Sequence, residues 1–142
     1  MKVEQILQAK GADVFAVSDA DSIAEAVSVL NDKNIGAVVV KDQSGGVVGI
    51  LSERDIVRRL GANGPEALNM RVADCMTPKP YTCSPEATID DVMGQMTEKR
   101  IRHLPVTSDG ALVGVVSIGD VVKRKIENAE QEAAALKEYI AT

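Results

Sequence analysis

Gly49-Ile50-Leu51-Ser52-Glu53-Arg54-Asp55-Ile56-Val57 and Gly114-Val115-Val116-Ser117-Ile118-Gly119-Asp120-Val121-Val122 are two copies of one pattern. In each copy a glycine enters a short apolar run, a serine closes it, and an aspartate follows three residues later. The apolar run reads as a buried strand. Serine at an N-cap with an acid at the third helical position reads as the start of a helix. Displacing the chain against itself also aligns Ser18 with Ser84, Ile23 with Ile89, Lys33 with Lys99, Ile35 with Ile101 and Val40 with Val106. An ordered repeat of this kind outranks any local reading.

Each repeat parses alike. Ser22 and Glu25 form a capping box ahead of the stripe Ile23, Ala26, Val27 and Leu30, and Asn34 ends that helix. Gly36 to Val40 follows as a strand, Gln43-Ser44-Gly45-Gly46 turns the chain, and Val47 to Leu51 returns antiparallel. A second helix begins at Ser52 and stops at Gly61 and Gly64-Pro65. In the second repeat the helix is Thr88 to Arg100, the strands are His103 to Val106 and Ala111 to Val116, and the last helix starts at Ser117. Short strands are expected before each first helix, at Val14 to Val17 and around Tyr81 to Cys83. The expected fold is an α/β sandwich of two pseudo-two-fold related β-α-β-β-α units plus a long C-terminal helix. Its boundaries are 1–62 for the first repeat with an N-terminal helix, 63–71 for a linker, 72–126 for the second repeat and 127–142 for the helical extension.

Composition narrows the function. The 142 residues are 45% hydrophobic and 26% charged, which excludes a disordered chain. A net charge of -5 argues against nucleic acid as partner. No apolar run is long enough to cross a membrane, and Met1 to Gly11 lacks a signal-peptide core, so a cytoplasmic protein is expected. One histidine and two cysteines, Cys75 and Cys83, leave little for a metal centre or a catalytic triad. Both cysteines are expected as buried thiols. Ser44-Gly45-Gly46-Val47-Val48-Gly49 joins two strands, lacks the first glycine of a dinucleotide fingerprint, and is a hairpin.

One serine with an aspartate three residues on is an ordinary helix cap worth about 1 kcal/mol. Recurrence at the same place in both repeats points further. A helix N-terminus favours phosphate, the hydroxyl adds a donor, and the carboxylate can accept both hydroxyls of a ribose. These segments, with Asp74-Cys75-Met76-Thr77-Pro78 and Arg102-His103-Leu104-Pro105-Val106, resemble a tandem CBS-domain pair, a Bateman module, over about Val3 to Ile126. The resemblance implies a stand-alone, non-catalytic sensor of energy or redox state. It would bind adenine nucleotides, AMP foremost with ADP, ATP or NAD(H) as others, in clefts between the repeats, and no cofactor serves catalysis. It implies ribose contacts from Asp55 and Asp120 and phosphate contacts from Ser52 and Ser117. Arg102 and His103 resemble the family's phosphate-gripping residues, Arg54 stands beside the first motif, Thr82 is a candidate adenine contact, and Pro105 is a candidate adenine wall. A regulated protein partner is implied but not identified. The alternative is a structural dimerisation scaffold with no functional ligand.

Beyond the second repeat, Val122, Ile126, Ala129, Ala133, Leu136 and Ile140 recur at alternating spacings of four and three. Such a stripe on one helix predicts a homodimer through this helix and the helices of the repeats.

Overall fold

The computed structural model describes residues 1–11 and 14–141. Ala12, Asp13 and Thr142, which fall in the expected first repeat and C-terminal extension, lie outside the described residues. The chain divides into two compact units, Asp13–Tyr81 and Met1–Ala12 with Thr82–Thr142.

The first of these carries a four-stranded sheet in the order β1 (Ala16–Ser18), β2 (Ala37–Lys41), β3 (Val47–Ser52), β4 (Thr77–Pro78). β1 runs parallel to β2, while β2–β3 and β3–β4 are antiparallel. Helix α2 (Ile23–Lys33) begins at the expected capping box: Glu25 N–H donates to Ser22 Oγ and Ser22 N–H to Glu25 Oε2, both at 3.1 Å. Asn34 ends it in the left-handed region at φ 53°, a conformation asparagine tolerates. α3 (Glu53–Asn63) continues through Gly61 to a cap at Gly64. The expected linker is not a free tether. It holds a 3-10 turn, Gly64–Asn69, with Ala67 fully buried, and then the short helix α4 (Val72–Cys75).

The other unit pairs β5 (His103–Ser108) with β6 (Ala111–Ser117), flanked by α5 (Ile89–Lys99) and α6 (Ile118–Ala141). The short strand expected around Tyr81 to Cys83 reduces to one parallel bridge, Cys83 to Val106. Helix α1 (Val3–Lys10) belongs here although it opens the chain. Val3, Ile6 and Leu7 are buried in one core with Ile89, Val92, Met96, Leu104, Val116 and Val121. α4, which leads into the second repeat, packs Val72 and Cys75 into the core of Val17, Ile23, Val38, Leu51 and Ile56. Each repeat thus holds the helix that leads into the other.

The seating is the same in both units. Val3 N–H donates to Ala87 O, and Ile89 N–H to Met1 O; correspondingly, Ile23 N–H donates to Met70 O and Val72 N–H to Asp21 O. The matched glycines explain themselves here. A Cβ on Gly49 would lie 2.5 Å from Met76 Sδ and 2.8 Å from Thr77 O, and one on Gly114 would lie 2.6 Å from Leu7 Cδ2. At Gly49 a backbone carbonyl stands in the way of any Cβ, whereas at Gly114 only the end of a flexible side chain does.

Candidate functional site

Both Ser-x-x-Asp segments fold as capped helix starts immediately after a strand. At the first, Asp55 N–H donates to Ser52 Oγ at 3.3 Å. Ser52 N–H and Ser52 Oγ donate to Asp55 Oδ2 at 3.0 and 3.1 Å. Thr77 Oγ1, brought in on β4, donates to Asp55 Oδ1 at 3.4 Å. Among the described residues every hydrogen-bond partner of that carboxylate is uncharged. Glu53 N–H, the next amide of the helix, is taken by Gly36 O at 3.0 Å.

The second segment repeats the cap with a different partner on its carboxylate. Asp120 N–H donates to Ser117 Oγ at 3.1 Å and Ser117 N–H to Asp120 Oδ2 at 2.9 Å. Lys10 Nζ, from the last turn of α1, donates to the same Oδ2 at 2.6 Å and to Val115 O at 3.0 Å. Burial pushes the Asp120 carboxyl up, but the hydrogen bonds from Lys10 and Ser117 and the Lys10 charge outweigh it and hold the group below the ordinary carboxylate value. Ile118 N–H donates to Arg102 O at 2.7 Å, the counterpart of the Glu53–Gly36 bond.

Of the expected site residues, Ser52, Arg54 and Asp55 stand together at the start of α3, with Arg54 exposed and Ser52 and Asp55 half-buried. Thr82, Arg102, His103, Pro105, Ser117 and Asp120 belong to the other unit. His103 is the cross-strand partner of Ser117, and Arg102 precedes it with an exposed side chain, so both border the second cap. Thr82 is exposed beside the Cys83 bridge; Pro105 is buried in β5 opposite Val115. Two residues reach the carboxylates that the sequence reading did not place there, Thr77 and Lys10. Thr77 lay inside the quoted Asp74–Pro78 motif. Lys10 lies on α1, outside every motif of the repeats; the matched seating of Val3 and Val72 sets it opposite Lys79, so no position of the repeat points to it. Among the described residues no group of three His, Cys, Asp or Glu side chains could hold a metal ion.

The CBS domain signature matches residues 3–62 and again 72–127. The chain belongs to the CBS-domain family, as a tandem pair. It is 35% identical over 136 residues to the mitochondrial CBS domain-containing protein CBSX3 of Arabidopsis thaliana, covering 93% of this chain and 66%, just under two thirds, of that relative. Among solved structures, the CBS-domain containing protein ATU1752 from Agrobacterium tumefaciens is 43% identical, with a TM-score of 0.85 over 87% of this CBS pair and 92% of that chain. The CBS domain pair of protein MJ0100, in complex with 5-methylthioadenosine and S-adenosyl-L-methionine, is 26% identical at a TM-score of 0.80, covering 90% and 98%. The mixed α/β fold expected from the repeats is therefore the fold of known CBS pairs. No helix among the described residues of the pair is long and apolar enough to cross a membrane.

Proposed function

We propose that this CBS-domain pair is a regulatory sensor that binds adenine nucleotides, through ribose contacts to Asp55 and Asp120. The observation that carries the reading is the duplicated cap: the same serine and aspartate, after the same glycine-entered strand, in both units of a family of regulatory modules. The two ligands of MJ0100 share adenosine, which is the part a carboxylate on the ribose would recognise. The caps do not exhaust the carboxylates. An ionised carboxylate has about four acceptor positions. Asp120 accepts two donors and so has room for both hydroxyls of a vicinal diol. At Asp55, with three, a diol takes the place of one neutral donor such as Thr77, and Ser52 and Ser117 keep their helix amides. AMP is the first ligand to test, with ADP, ATP and NAD(H) beside it; Arg102, His103 and Arg54 supply the groups for phosphate.

Calorimetry and thermal shift test this directly. A nucleotide at about 100 times its Kd should add about 2.7 kcal/mol of stability. Asp120→Ala should weaken one site by about 1.5–3 kcal/mol, since a charge-assisted contact is lost, and Asp55→Ala should weaken the other. Unchanged affinity and stoichiometry in both variants would remove the assignment.

A second reading, a dimerisation scaffold, is favoured by α6. Val122, Ile126, Leu136 and Ile140 are 38%, 53%, 59% and 73% exposed along one stripe, and every described residue from Ala129 onward is exposed. A second copy of the same helix would cover that stripe, so the sensor is proposed to act as a homodimer.

A further inference from the structure

We propose that Lys10 sets the ligand charge accepted at the Asp120 motif, selecting adenosine compounds whose 5′ substituent is anionic. This rests on the proposed function, and adds to it a residue outside every motif read from the sequence. The two carboxylates have the same cap but different surroundings. Asp55 is met by Ser52 and Thr77, all neutral donors, whereas Asp120 carries an ammonium at 2.6 Å. That ammonium is fixed from two sides, because Val115 O accepts from it at 3.0 Å. It is also reachable: the Lys10 side chain is 38% exposed and that of Asp120 25%.

The space beside the pair has the same character. α1 and α6 enclose a cleft of about 180 Å³ into which Lys10, Lys123 and Arg124 face together with Asp120 and Glu127. Sites that enclose a whole small molecule run to about 300–1,000 Å³, so this cleft takes part of a ligand, such as a sugar and what it carries. Three cations face two carboxylates, and Arg124 is only loosely paired with Glu127, at 3.6 Å. An incoming ribose diol shares the Asp120 carboxylate with Lys10 and draws on the same negative charge. A neutral ligand then leaves the ammonium without an equal partner, and a cationic one opposes it. A phosphate one sugar away replaces what the ammonium gives up. At a separation of about 6 Å in a partly wet site, one unit of ligand charge is worth roughly tenfold in affinity.

The experiment is calorimetry with AMP (dianionic), 5-methylthioadenosine (neutral) and S-adenosyl-L-methionine (cationic). It compares the intact chain, Lys10→Met and Lys10→Arg, each in an Asp55→Ala background that isolates the second motif and also with Asp55 retained. The order of affinity at that motif should be AMP, then methylthioadenosine, then S-adenosylmethionine. Lys10→Met should shrink the AMP to methylthioadenosine ratio at least tenfold, and Lys10→Arg should restore it. Lys10 sits on the exposed last turn while Val3, Ile6 and Leu7 seat the helix, so circular dichroism should show both variants folded. A ratio unmoved by Lys10→Met overturns this inference and leaves the proposed function standing. No binding of any adenosine compound by the unaltered chain overturns both.

Discussion

Replacing Gly49 with alanine tests the packing that holds Thr77 over Asp55. The new Cβ would stand 2.5 Å from Met76 Sδ and 2.8 Å from Thr77 O, where ordinary contact begins near 3.4 Å. Methionine can turn its sulfur aside. The carbonyl cannot follow, because the β3–β4 ladder pairs Gly49 with Pro78 and Ile50 with Thr77. One group of atoms must therefore shift by about half an ångström, and overpacking of that kind costs about 1–3 kcal/mol. Alanine recovers about 0.4–1 kcal/mol by restricting the unfolded chain. Taking the middle of each range, the net loss is about 1.3 kcal/mol, or a fall in Tm of about 4 °C for a chain of this length. Gly114→Ala provides the internal control: its neighbours are the ends of the Leu7 side chain, with no backbone in the way, so it should cost less. Urea unfolding followed by circular dichroism measures both. A Gly49→Ala protein as stable as the parent, or a Gly114→Ala protein that loses more, would refute the argument.

Cys83 should resist alkylation at pH 8 in the folded protein and react on unfolding, because burial pushes its thiol up to about 11; rapid labelling of the native chain would contradict this. The Asp120 carboxyl is depressed when folded, so its contribution to stability is complete above its ordinary value of 3.8 and disappears as pH falls through the lower folded value. Asp120→Asn should therefore flatten the decline of stability below about pH 4, and an unaltered acid slope would count against the Lys10 contact. Leu136→Glu should shift a dimer toward monomer while leaving nucleotide binding intact, since a carboxylate at an apolar seam is costly. Light scattering decides it, and a monomeric parent protein at tens of micromolar would end the dimer proposal.

The parts of the fold legible in the sequence are those set by neighbours along the chain. The caps at Ser22, Ser52, Thr88 and Ser117 each act on an amide three residues away, so a local pattern suffices to find them. The hairpins follow from apolar runs around turn residues for the same reason. What the pattern does not carry is the destination of a short amphipathic helix. Val3, Ile6 and Leu7 announce a buried face but not which of two similar cores receives it. β4 escaped because two residues, Thr77 and Pro78, form too short a strand to have a period. On α6 the spacing drew attention to Val122, yet Val121 is the side chain that reaches the core, because the face that packs inward continues from Ile118. In the site, Ser52, Asp55, Ser117 and Asp120 were legible as a repeat, while Lys10 meets Asp120 only through tertiary structure.

The exchange of leading helices means that the gene and the folded object divide at different places. A cut through 63–71 gives one fragment that carries α1 with no core to receive it and another whose core has a hole where Val3, Ile6 and Leu7 belong. Each of those side chains is worth about 1.5–3 kcal/mol when buried, so the vacancy is comparable to the whole stability of a small domain. A separable second unit is instead a permuted polypeptide, with the helix of residues 3–10 joined behind or ahead of residues 82–141. Residues 13–81, by contrast, already hold their borrowed helix in one unbroken stretch, so the boundary drawn by the repeats and the boundary drawn by the cores differ by one helix.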